Sequence, residues 1–159
     1  MSLQRLWQMS YDSPTVDILR NSHYAIPVIQ GFHLLGITLL LSSVVILNLR
    51  LLRLGLTGIR LQVIARQVWS WGTAGLILAA VSGFFVFLPD PARYAANTSF
   101  IVKMIVLPSA ILFQYTVYRR AVQAEAAAQS GERRLILPLL SLCLWFGVGW
   151  AGRAIAFLG

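Results

Sequence analysis

Apolar residues run through this chain in four long blocks, 24–49, 68–88, 100–118 and 135–158, each followed by a polar stretch or the chain end. Each block is near the about 20 mostly apolar residues that carry a helix across a hydrocarbon core about 30 Å thick. The first two blocks hold no Asp, Glu, Lys or Arg; the third holds only Lys103 and the fourth only Arg153. Period-two alternation is missing, which argues against a membrane barrel. Turn chemistry marks the joints, with "LPDPARYAANTS" between blocks two and three and "RRAVQAEAAAQSGERR" between three and four. The pattern predicts an all-α fold, an integral membrane four-helix bundle over residues 24–159, after an N-terminal outer-surface segment over 1–23.

Within that segment, "SLQRLWQM" puts Leu3, Leu6 and Trp7 on one side of a helix. Ser13 followed by Pro14 reads as a cap and first-turn pair. Residues 2–21 are therefore expected as one or two short interfacial helices on the outer membrane surface. The opening "MSLQRLWQMSYDSP" is too polar for a signal-peptide core, so no cleaved targeting sequence is expected.

Composition supports the bilayer. Charged residues make up 11% of the 159, against about 25% in a soluble domain. The net charge of +8 would suit a nucleic-acid binder, but the basic residues sit between apolar runs and not along one soluble face. The partner they point to is the lipid bilayer, not nucleic acid. The joint after block one carries Arg50, Arg53, Arg60 and Arg66, and the joint after block three carries Arg119, Arg120, Arg133 and Arg134. Between blocks two and three there is only Arg93, balanced by Asp90. The positive-inside rule puts both arginine-rich joints in the cytoplasm and both termini outside. Cys143 is the single cysteine, so no intrachain disulfide forms.

That topology sets depths through the helical rise. His33 falls about 13 Å below the outer end of its span, with Gln30 a turn above it on roughly the same face. Lys103 and Met104 fall about 5 Å in, Arg153 about 7 Å and Ser82 about 9 Å from the same surface. Ionisable groups cost about 2.5 kcal/mol or more at a span centre and usually face the bundle interior. No acidic residue lies in any of the four blocks. The missing negative charge would come from a lipid phosphate, a haem propionate or another bound anion. Plainer readings stand beside this one. Lys103 and Arg153 would snorkel to headgroups, and His33 would bond Gln30 or a carbonyl across a helix interface. Met104 and Cys143 would pack as apolar residues, and the glycines of "WFGVGWAGRAIAF" would mark close helix contact.

A histidine inside a small bundle suggests haem b. His23 and His33 are separated by about 15 Å on one helix, whereas two axial nitrogens on one iron are about 4 Å apart. A five-coordinate haem, a His33–Met104 pair, or His33 paired across a two-fold dimer would each satisfy the iron. Copper is a second reading, through His33 and Met104 with Cys143 as a further ligand type. Their depths spread over about 15 Å, which suits a transient path better than a tight site. No HExxH, Walker, GxGxxG, carboxylate-pair or nucleophile–base pattern appears, which argues against a self-contained hydrolase or nucleotide enzyme.

"IPVIQGFHLLGITLLLSSVVILNLRLLRLG" resembles the first helix of an uncharacterised family of small bacterial four-helix membrane proteins, through Pro27, Gln30, His33, Gly36 and Asn48 to Leu52. The family tends to have Asp where this chain has Asn48. "NTSFIVKMIVL" is similar to the family's third-helix start, at Phe100 and Lys103, and "LSLCLWFGVGWAGRAIAF" to its last helix, at Ser141, Trp145, Gly152 and Arg153. The resemblance covers residues 24–159. The family has the general look of copper-resistance D-type domains and, more distantly, of cytochrome b561-like bundles. It implies a bacterial inner-membrane protein and points to His33, Lys103 and Arg153 again.

Three functions remain open at this level. One is a cofactor-binding or electron-transfer subunit, with His33, Gln30, Ser82, Lys103 and Arg153 around haem b or another anion. Another is a copper-handling membrane protein. The last is a cofactor-free accessory or scaffold subunit of a homo-oligomer or larger membrane complex.

Overall fold

The computed structural model describes residues 14–56, 58–124 and 133–158, and among these the secondary structure is helical without strands. A short helix α1, Pro14–Asn21, precedes the first long helix α2, Ala25–Leu51; α3 follows over Leu61–Phe87. A six-residue helix α4, Pro91–Ala96, leads into α5, Thr98–Phe113. The chain then makes a π-helical turn, Gln114–Tyr118, and continues as α6, Arg119–Ala124; α7 spans Arg133–Leu158. Four of these stretches are long and apolar enough to cross a membrane, the third being Thr98–Tyr118. The protein is an all-α, multi-pass membrane bundle.

The helices pack as two antiparallel pairs, α2 with α3 and α5 with α7, joined mainly where α2 meets α7. Glycine sets the first pair. A Cβ built on Gly36 would lie 2.6 Å from the Ala79 nitrogen and 2.8 Å from the Gly75 oxygen. One built on Gly75 would lie 2.7 Å from the Gly36 oxygen and from the Leu40 nitrogen. The two backbones are in direct contact, the device by which helices associate when lipid is as apolar as the side chains. Lower in the bundle, Leu47, Leu51, Ile64, Ala65, Val68, Tyr118 and Val122 form one core. Leu40, Val44, Ala110 and Trp145 form another nearer the middle.

The ends of the elements follow local chemistry. Asp90 caps α4 by accepting from the Arg93 backbone nitrogen at 3.2 Å, and Pro91 opens the helix, where its missing N–H costs nothing. Asn97 caps α5, accepting from Ser99 N at 2.8 Å and Phe100 N at 3.4 Å. Its amide also donates to the Ile155 carbonyl at 3.3 Å, clamping the start of α5 to the end of α7. Rings of Phe87, Tyr94 and Phe100 lie 5.5–5.9 Å apart and join α3, α4 and α5 at the same end. At the opposite end of α2, Leu54 N donates to Leu49 O at 2.9 Å and Arg53 N to Arg50 O at 3.2 Å. This is a Schellman stop, with Arg53 at a φ of 58° in the position that glycine usually takes.

Several boundaries differ from the hydropathy reading. The second membrane helix starts at Leu61 and not at 68, because the Arg66 side chain is exposed and does not interrupt the helix. The joint before block three is not all turn, since Asp90-Pro91 starts α4. Helix continues past residue 118 to Ala124. Of the predicted N-terminal helices, the one at Pro14–Asn21 is present, with Val16 and Leu19 buried and contacts to α2. The Leu3, Leu6 and Trp7 face and the Ser13 cap lie outside the described residues.

Candidate functional site

His33 sits two turns into α2 and turns its ring onto α3. Gly83 makes this approach possible: a Cβ there would lie 3.0 Å from the imidazole Cε1. Nδ1 is 2.8 Å from the Ala79 carbonyl oxygen and 3.2 Å from Ser82 Oγ. A carbonyl accepts only, so Nδ1 carries the proton and donates. The buried Ser82 sends its own hydroxyl proton to the Leu78 carbonyl and offers Nδ1 a lone pair. Both contacts fix the same tautomer, with Nε2 bearing the free lone pair. Metal-ligating histidines are commonly held this way, the far nitrogen bonded to a carbonyl and the near one left open.

Lys103 approaches from the second pair of helices. It is partly buried, and its Nζ lies 3.6 Å from where a Cβ of Gly152 would stand. The glycine lets the ammonium lie against the α7 backbone. Lys103 thus lies at the same end of the bundle as the neutral His33 imidazole. Asp17 and Asp90 are the only carboxylate residues among those described, and both lie outside the spans. Thus α2, α3, α5 and α7 all contribute to one end of the bundle: a histidine lone pair, a hydroxyl, an ammonium, and two glycines that make room for them.

The other predicted residues do not turn inward. Gln30 and Arg153 are exposed, as is Met104 at 45%. They share a depth with His33 and are more open than it is. His23 lies in the turn between α1 and α2 and is exposed. Cys143 is exposed as well. No cluster of three His, Cys, Asp or Glu suited to a metal occurs among the described residues.

A second polar group, buried toward the other end, has no counterpart in the depth argument. Tyr118 OH donates to Asn48 Oδ1 at 2.8 Å, and Asn48 Nδ2 donates to Val44 O at 2.8 Å and Ser141 Oγ at 3.3 Å. Ser141 Oγ donates to Gln114 Oε1 at 3.0 Å, where Trp145 Nε1 also donates at 3.3 Å. These five residues are at most 3% exposed. The π turn carries two of them, Gln114 and Tyr118, consistent with the tendency of such turns to fall where a helix makes special contacts. The signal in the sequence was a set of uncharged polar residues at Asn48, Gln114 and Ser141 inside apolar spans, which hydropathy sums average away.

Residues 21–158 match the model of a family of unknown function, DUF6644. No curated protein and no solved structure matches the chain. The expected likeness to copper-resistance D-type and cytochrome b561-like domains gains no support from these comparisons.

Proposed function

The chain belongs to the DUF6644 family, and we propose that this member is a cofactor-binding or electron-transfer subunit. It would hold haem b, or another anionic ligand, in the outer half of the bilayer between His33 and Lys103. The observation that carries the reading is the His33 Nδ1 bond to Ala79 O at 2.8 Å, which leaves Nε2 free to accept at the bundle end that also carries the Lys103 ammonium. An imidazole lone pair suits a ferric or ferrous iron. An ammonium inside a span, with no carboxylate at its level, suits a propionate or phosphate. Ser82 and Ala79 orient the imidazole, Gly83 lets its ring lie against α3, and Gly152 lets the Lys103 ammonium lie against α7. With one interior histidine per chain, His33 would be the residue that holds the iron, and any second histidine would come from a second copy of the subunit.

The arginine-rich joints support an orientation with both termini on the periplasmic side of a bacterial inner membrane. The His33–Lys103 end then faces the periplasm, where an electron donor or acceptor would dock.

A visible absorption spectrum of detergent-purified protein tests the proposal. A Soret band is expected in the wild type and its loss in His33→Ala. Absence of the band from protein produced with ample haem would overturn the haem form. The wider anion reading would then stand or fall on whether phosphate or anionic lipid binding depends on Lys103.

A further inference from the structure

Gln114 lines a cavity of about 10 Å³ between α2, α3 and the π turn, together with Ser43, Gly72 and Tyr115. The orientation of its carboxamide is settled by its neighbours. Trp145 Nε1 can only donate, and it donates to the same Gln114 oxygen that Ser141 Oγ reaches. The other terminal atom is therefore the nitrogen, with two N–H donors. Among the described residues, none accepts from it, although Gln114 is 3% exposed. Among the same residues, no buried side-chain nitrogen or oxygen is sealed off without a partner, so Gln114 Nε2 must border open space.

The surrounding groups are complementary. Ser43 gives its hydroxyl proton to Leu39 O at 2.8 Å and keeps lone pairs free. Tyr115 OH and Thr73 Oγ1 share a bond at 2.8 Å, leaving further capacity at the phenol oxygen. A water needs about 10–15 Å³ and two to four polar partners. We infer that this cavity is a binding site for one water molecule, held by Gln114 Nε2 as donor and Ser43 Oγ as acceptor. The water joins Ser43 and the Thr73–Tyr115 pair to the Asn48–Tyr118–Ser141–Trp145 network, so that all four spans share one hydrogen-bonded system. Only neutral groups line it, so it takes a neutral, water-sized ligand and not an ion. The inference is independent of the outer site.

The test is side-chain amide NMR of the labelled protein in detergent, reading magnetisation transfer between the Gln114 amide protons and water. A direct cross-peak from a long-lived water is expected, and it should vanish in Gly72→Ala, whose added methyl would meet Ser43 at 3.1–3.3 Å and close the space. The Trp145 indole N–H resonance reports whether the network stays folded in that variant. A wild-type Gln114 amide without a water cross-peak, or with contacts to detergent chains instead, would overturn the inference. Persistence of the cross-peak in Gly72→Ala with the Trp145 resonance unmoved would do the same.

Discussion

His33 is bonded across 46 positions of sequence to the Ala79 carbonyl, at 2.8 Å. The bond ties α2 to α3 just above the level where their backbones touch. It also decides the tautomer, and so which nitrogen faces outward from the pair.

Lys103→Met separates ligand binding from stability. The ammonium is partly buried in a span that holds no Asp or Glu, so its removal should stabilise the ligand-free protein by about 1 kcal/mol, less than a central-span charge costs. The same change should weaken binding of haem or of an anionic lipid severalfold. Denaturation in mixed detergent, with and without the ligand, checks both signs.

Widening Gly75 should part the first helix pair. Its Cβ would stand 2.7 Å from backbone atoms of Gly36 and Leu40, which cannot step aside as a flexible side chain would. Gly75→Val is expected to cost about 1–3 kcal/mol, as overpacking does. It should also loosen the His33–Ala79 bond one turn away, measurable as reduced ligand occupancy at a temperature where the helix signal is unchanged.

Tyr118→Phe removes the donor to Asn48 Oδ1 from a position with no exposure. The stranded acceptor should lower stability by about 1–3 kcal/mol. Adding Asn48→Leu to that variant should recover less than a simple swap of polar for apolar predicts, because Asn48 also donates to Val44 O and Ser141 Oγ. A double-mutant cycle in detergent unfolding gives the coupling.

Arg53→Gly should stabilise. Arg53 stands at a φ of 58° in the Schellman stop of α2, where a side chain costs energy and glycine does not. A gain of about 0.5–1 kcal/mol is expected, seen as a higher midpoint of thermal unfolding in the same detergent.

The four spans were legible because membrane crossing is a property of single segments. Length and apolarity suffice, and Ala25–Leu51 and Arg133–Leu158 sit within two residues of the blocks read from sequence at every boundary. Depth was legible for a related reason: rise per residue is fixed, so His33, Ser82 and Lys103 could be placed near one end. Rotation was not. Whether Gln30, Met104 or Arg153 faces the interior depends on how each helix packs against its neighbours, and all three are exposed. The inner network was missed because Asn48 and Gln114 carry no charge, and apart from the Asn48 bond to Val44 O their pairing runs across helices. Gly36 and Gly75 could be read as small residues, but their register against one another belongs to the folded pair.

The two-by-two arrangement has a mechanical consequence. Where Gly36 and Gly75 put backbone on backbone, α2 and α3 form a stiff post. The second post, α5 with α7, is pinned at its rim by the Asn97 amide on Ile155. His33 is mounted on one post and Lys103 on the other, so the gap that separates them is set by how the posts lean. A small tilt at the seam would widen or narrow that gap without bending either helix pair.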